Sequence, residues 1–203
     1  MKKKIYILIG THNRGKFKEI SQLLPKRFIK ISPSQLKIKS PKETGKTFKA
    51  NSKLKANYFF KKSQKITLSD DSGIEIFALN KQPGIFSARW SKKYGSFNNA
   101  MKTILNKLKN KTNRKARFVC SLTLRISKKK SYTYEGLIYG KISKKISGTN
   151  GFGYDPIFIP NGKKITFGQM QKDKKYKMDH RFLAYKKLKK KNYCFINFLF
   201  LTS

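Results

Sequence analysis

Short apolar runs alternate with stretches of helical periodicity along most of this chain, and one hairpin-like break interrupts the alternation near its middle. Ile5–Ile9 reads as a central strand closed by Gly10. A polar loop over 11–15 then opens a helix predicted from 16 to 24, where Pro25 stops it. A second strand covers Phe28–Ile31. Phe48, Ala50, Leu54 and Tyr58 recur at helical spacing and predict a helix over 47–62. Strands follow over 66–69 and 73–79, a turn at Pro83-Gly84, and a helix over 98–109. Strands over 117–126 and 132–138 flank the break at Lys128-Lys129-Lys130. A glycine loop (148–156), a strand (157–159), a helix (182–191) and a last strand (193–201) complete the order. The pattern predicts an α/β fold built on a mixed, twisted sheet flanked by helices, in one domain over residues 1–203.

Two carboxylates stand side by side in Ser69-Asp70-Asp71-Ser72-Gly73, in a chain with nine acids against 49 Lys and Arg. They follow the apolar run Ile66-Thr67-Leu68, so the segment reads as a strand delivering both to its C-terminal tip, where α/β proteins place ligand chemistry. Hard cations such as Mg²⁺ are held by one or two carboxylates plus substrate phosphates. Asp before Ser-Gly is also ordinary turn chemistry, and both readings stay open on these residues alone.

The formal charge of +40 invites a nucleic-acid reading. The lysines are spread along the whole chain, however, and Arg, the better reader of bases and phosphates, accounts for seven of the 49 cations. Abundant Lys, Asn, Ile and Phe also follow from AT-biased coding, so nucleic acid is not the expected partner. Cys120 and Cys194 have no metal-ligand spacing and fit a reduced, cytoplasmic setting. The apolar runs at 5–9 and 193–201 are too short for a membrane span.

Gly10-Thr11-His12-Asn13-Arg14-Gly15-Lys16 matches G-x-x-x-x-G-K between a strand and a helix, a phosphate cradle of backbone N–H groups plus a lysine. A P-loop needs Ser or Thr next, to hold Mg²⁺, and Phe17 cannot do so. Thr11, Asn13 and Lys16 also form T-x-N-x-x-K, with Glu19 one turn on.

Together with Glu43-Thr44-Gly45, Asn51 and Lys55-Ala56, Ser69-Asp70-Asp71-Ser72-Gly73, Pro83-Gly84-Ile85-Phe86-Ser87-Ala88-Arg89, Gly151-Phe152-Gly153-Tyr154-Asp155-Pro156 and His180-Arg181, this turn resembles the inosine/xanthosine triphosphate pyrophosphatase family. The motifs run in order from residue 5 to about 190. The resemblance implies two lobes around a central substrate cleft, a homodimer, and Mg²⁺-dependent cleavage of deaminated purine nucleoside triphosphates. It implies that the turn formed by Thr11, His12, Asn13, Arg14, Gly15 and Lys16 binds the triphosphate, with Lys55 also facing phosphate. Glu43 and Asp71 would hold Mg²⁺, with Asp71 also the base that activates water, and Ser72 would touch substrate. Phe152, Gly153, Tyr154 and Asp155 would line the base pocket, while Lys175, His180 and Arg181 would read the base. This chain departs from the family at Lys42, Gln169 and Asp179, where the family commonly has an acid, an acid and a serine. Two other classes also fit parts of the sequence: a pyrophosphatase of other modified nucleotides, and a basic nucleic-acid-binding protein without catalysis.

Overall fold

The structure is a computed structural model that describes residues 5–191, so the strand expected over 193–201, and Cys194 with it, lie outside the described residues. Its strands are β1 (Ile5–Ile9), β2 (Phe28–Ile31), β3 (Thr67–Ile76), β4 (Gln82–Pro83), β5 (Lys115–Arg125), β6 (Ser131–Ile142) and β7 (Phe158–Pro160). They hydrogen-bond in the order β2-β1-β3-β5-β6-β7, with β4 on β3. β1 is parallel to β2 and to β3, whereas β4 on β3 and β7 on β6 are antiparallel, so the sheet is mixed as expected. The described residues fall into two compact units, one of 5–71, 121–136 and 181–191, the other of 72–120 and 137–180.

In the first unit, β1 and β2 align Ile5 with Phe28 and Leu8 with Ile31. Helix α1 (Arg14–Leu23) starts two residues before its predicted position, because Asn13 caps it by accepting a hydrogen bond from Lys16 N at 3.0 Å. Thr47 caps α2 (Phe48–Ser63) in the same way through Ala50 N. The buried residues of α2 are Phe48, Asn51, Ser52, Lys55, Ala56, Phe59 and Phe60, a stripe at helical period with one lysine inside it. Ile7, Leu8, Ile9, Ile20, Leu68, Leu122 and Ala184 supply further core.

The second unit has its own core of Ile74, Ile76, Met101, Ile104, Leu108, Phe118, Ile157, Phe158 and Phe167. Helices α3 (Ser87–Lys93) and α4 (Phe97–Lys107) pack there, the latter capped by Ser96. Two more helices, α5 (Lys172–Tyr176) and α6 (His180–Lys191), complete the described chain.

The acid pair corrects one expectation. Residues 66–69 and 73–79 are not two strands separated by a turn: β3 runs unbroken through Asp70, Asp71 and Gly73 to Ile76. The turn reading of Ser69–Gly73 is therefore excluded. Gly73 is a point of close approach, since a Cβ there would overlap Ser87 Oγ and the Gly84 carbonyl. Ser87 Oγ accepts from Ile74 N at 3.0 Å and donates to Gly84 O at 2.6 Å, which stitches the Pro83–Arg89 motif onto β3.

Candidate active site

Two groups of charged and polar residues stand out, one in each unit. In the first, Thr11 Oγ1 accepts from Asn13 N at 3.2 Å and Asn13 caps α1, so the 11–16 turn is fixed by its own side chains. His12 is exposed, with Nδ1 2.7 Å from Ser40 Oγ, and Arg14 is exposed at the helix start beside half-buried Gly15. Lys16 Nζ lies 3.2 Å from Asp70 Oδ2.

Lys55 projects from the buried stripe of α2 to Glu43, 2.8 Å away, and to Asp71 Oδ1, 3.6 Å away. Burial pulls the Lys55 ammonium down, but Asp71, Asp70 and Glu43 outweigh it and hold the pKa above its ordinary value. Asn51 Oδ1 accepts from Gly45 N at 2.8 Å and so holds the segment bearing Glu43. Asp71 is 4 % exposed, and burial raises its carboxyl pKa; Lys55 and Lys16 oppose that shift, while Glu43 and then Asp70 add to it. Asp71 Oδ2 is buried without a hydrogen-bond partner. Such an oxygen in a native core calls for an ion, water or catalytic role.

Arg181, on α6, belongs to the same unit. Its Nη1 donates to Glu19 Oε2 at 2.6 Å and its Nε lies 3.5 Å from Asp70 Oδ2. Glu19, Asp70 and Arg181 are at most 4 % exposed. Three cations and four carboxylates thus gather in one unit of a chain with only nine acids. The sequence placed Glu19 beside the T-x-N-x-x-K turn without giving it a role, and Arg181 stands 162 residues away from it.

The second group surrounds Lys175, which is 1 % exposed. Its Nζ donates to Asp155 Oδ2 at 2.8 Å, lies 3.9 Å from Asp179 Oδ2, and sits 5.5 Å above the Phe152 ring and 5.6 Å above Phe167. Asp155 Oδ2 also accepts from Phe152 N at 2.9 Å, so it closes the 152–155 turn. Gly151 has φ 75° and a Cβ there would overlap that same oxygen, which is why glycine stands at this position. Half-buried Gly153, with φ 68°, completes the turn. Tyr154 is a core residue whose hydroxyl donates to Ser87 O at 2.9 Å. His180 stacks on Phe118 with ring centroids 4.8 Å apart and planes 11° apart. Ser72, next to Asp71, is half-buried on β3. Gln169 Oε1 accepts from Thr166 N at 3.1 Å.

A model of the Ham1 family matches residues 7–191. The chain belongs to the Ham1 family. Among Ham1 relatives, the dITP/XTP pyrophosphatase of Methylacidiphilum infernorum is 40% identical over 185 residues, covering 90% of this chain and 92% of that protein. The dITP/XTP pyrophosphatase of Caulobacter vibrioides is also 40% identical over 185 residues, covering 90% and 95%. The solved Ham1 protein of Staphylococcus aureus superposes with a TM-score of 0.80 at 36% identity, covering 90% of this chain and 95% of that one. A Mycobacterium abscessus structure described as a nucleoside-triphosphatase / dITP/XTP pyrophosphatase gives 0.73 at 32% identity, covering 91% and 98%. The likeness to these two structures fits the mixed α/β fold expected from the sequence.

Among the described residues, no three His, Cys, Asp or Glu side chains group closely enough to hold a metal by themselves. Glu43 and Asp71 nevertheless suit Mg²⁺, which takes one or two carboxylates and completes its octahedron with water and phosphate oxygens. Both carboxylates converge on Lys55, and the buried Asp71 Oδ2 is the kind of hard oxygen such an ion takes. No described helix is long and apolar enough to cross a membrane.

Proposed function

We propose that this chain hydrolyses deaminated purine nucleoside triphosphates, such as dITP and XTP, to the monophosphate and pyrophosphate. The observation that carries the reading is Asp71: a buried carboxylate with a raised pKa and one oxygen without a partner, flanked by Lys55 and Lys16. The naming of the relatives as dITP/XTP pyrophosphatases supports it.

The turn formed by Thr11, His12, Asn13, Arg14, Gly15 and Lys16 takes the triphosphate at the N-terminus of α1, where backbone N–H groups and the helix dipole favour anions. Lys16 and Lys55 offset the charge that would repel a nucleophile. Glu43 and Asp71 would hold Mg²⁺, which when bound would polarise phosphoryl oxygens. Asp71 accepts a proton from water as that water's oxygen bonds to the α-phosphorus; the α–β P–O bond breaks and pyrophosphate leaves. A carboxylate whose pKa is raised by burial is the better base for this transfer. Ser72 contacts the substrate beside Asp71. Phe152 stacks on the purine, and Gly153, Tyr154, Asp155, Lys175, His180 and Arg181 shape and read its edge. The two cysteines, far apart in the sequence and without metal-ligand spacing, support a cytoplasmic setting, and the family resemblance supports a homodimer.

Pyrophosphate release from dITP, XTP, ATP, GTP and CTP, each with and without Mg²⁺, tests the reading. Release from dITP or XTP that needs the metal is the expected result. Release of orthophosphate, or none from any purine triphosphate, overturns it.

A further inference from the structure

Asn51, on the buried stripe of α2, uses one end of its amide and leaves the other unused. Its Oδ1 accepts from Gly45 N at 2.8 Å, whereas Nδ2 is buried with no hydrogen-bond partner. A residue placed on that stripe for packing alone would be apolar, because an unpaired buried donor is costly. The other polar members of the stripe are accounted for. Ser52 Oγ donates to Lys49 O at 3.1 Å and lies 2.9 Å from Thr123 Oγ1, and Lys55 reaches Glu43 and Asp71. What Asn51 supplies is an acceptor for Gly45.

Gly45 stands two residues after Glu43 and packs against the first turn of α2. A Cβ on it would lie 2.6 Å from Asn51 Oδ1, 2.8 Å from Ala50 Cβ and 2.9 Å from Asn51 N. Asn51 and Lys55 are one turn apart on the same face of the helix. That face therefore grips the segment before it twice, at the Gly45 backbone and, 2.8 Å from Lys55 Nζ, at the Glu43 carboxylate. A lysine is a point charge on a flexible stem, which attracts a carboxylate without fixing the backbone that carries it. The Asn51–Gly45 bond fixes that backbone. We infer that Asn51, with Gly45 as its partner, is a positioning residue for Glu43 and determines how tightly this chain binds Mg²⁺. This rests on the proposed function, in which Glu43 and Asp71 hold the ion. Asn51 acts through Glu43, and outer hydrogen bonds that orient a metal ligand are typically worth about 10–100-fold in metal affinity.

The test reads Mg²⁺ affinity of the nucleotide-free protein from the rise in Tm across an Mg²⁺ titration. Kinetics on dITP give the Mg²⁺ concentration for half-maximal rate and kcat at saturating Mg²⁺. Asn51→Leu keeps the volume and removes the acceptor, Asn51→Asp keeps an oxygen for Gly45 N, and Gly45→Ala drives a methyl group into Asn51 Oδ1 from the other side. Asn51→Leu and Gly45→Ala should each weaken Mg²⁺ binding by about tenfold or more. The half-maximal Mg²⁺ concentration should rise by the same factor, with kcat largely restored at saturating Mg²⁺. Asn51→Asp should bind Mg²⁺ at least as tightly as wild type. A purely structural role would lower Tm equally with and without the metal. Unchanged Mg²⁺ affinity in folded Asn51→Leu overturns the inference, as does an equal loss in Asn51→Asp. Should Asn51→Leu not fold, unchanged affinity in Gly45→Ala, which lies outside the helix, overturns it. Pyrophosphate release from dITP by wild type without Mg²⁺ is a different failure, and it overturns the proposed metal site itself.

Discussion

Lys16 Nζ and Asp70 Oδ2 lie 3.2 Å apart, with the Asp70 side chain fully buried and also within 3.5 Å of Arg181 Nε. Asp70 therefore orients two cations, and its effect on the basicity of Asp71 is the smallest of those acting on that group. In the proposed function Lys16, fixed by Asp70, is the one positioned phosphate ligand of the 11–16 turn, among 42 lysines in the chain. Lys16→Ala should lower kcat/KM by about 10²-fold or more, the scale of removing one positioned electrostatic donor. Lys129→Ala, in the exposed hairpin, should change it less than twofold. Steady-state kinetics on dITP decide the matter, and equal losses from both would return the binding to diffuse charge.

Asp71→Asn separates catalysis from stability. The substitution keeps the shape and removes the base, so turnover should fall by about 10²-fold or more. Stability should move the other way. A carboxyl whose pKa is raised on folding contributes stability below its unfolded pKa and loses it as pH rises through the folded value. At neutral pH the buried Asp71 charge is therefore a burden, and without metal the variant should melt at or above the wild-type temperature. That difference should vanish near pH 3. Mg²⁺ should raise the wild-type Tm and leave Asp71→Asn nearly unmoved. A variant that melts well below wild type at pH 7 would reject this account.

Lys55 shows how much of the site was legible. Its seven-residue spacing from Phe48 puts it on the apolar stripe of α2, and a lysine there must find acids or lose its charge. The alternation of apolar runs likewise predicted most strands and the three longer helices, α1, α2 and α4, of the first 110 residues. The misses have long-range causes. Gly73 read as a strand end, yet it is glycine because Ser87 and Gly84 approach β3. Helix α3 hid behind Pro83-Gly84, and α5 is a lysine-rich turn whose one buried member is Lys175. No local pattern could join Glu19 to Arg181.

The Lys175–Asp155 pair should behave as a buried ion pair that holds the 152–155 turn. Lys175→Met takes the ammonium away from the buried carboxylates of Asp155 and Asp179 and should cost about 3–5 kcal/mol, whereas Asp155→Asn leaves Lys175 facing Asp179 at 3.9 Å and should cost less. Removing both should cost clearly less than the sum, and the coupling can be read from urea unfolding of the four proteins. Additive losses would mean that the two side chains stabilise the turn independently.

Base selection is the remaining question, and Arg181 is where the structure sharpens it. In the proposed function the base stacks on Phe152, which tolerates any base, so discrimination between 6-oxo and 6-amino purines falls to polar groups. Arg181 is fixed by Glu19 at 2.6 Å and is only 4 % exposed, so it cannot swing to suit a wrong base without breaking a buried pair. A guanidinium donates only, which matches a 6-oxo group and opposes a 6-amino group. Inosine triphosphate should therefore be cleaved at least ~10²-fold more efficiently than ATP, a difference of about 2.7 kcal/mol in transition-state binding. Arg181→Ala should narrow that gap by slowing ITP more than ATP. Glu19→Gln, which frees the guanidinium without removing it, should narrow it to a smaller degree. Competition assays with both nucleotides present give the ratio directly, and wild-type protein that cleaves ATP and ITP comparably would leave Arg181 with no part in selection.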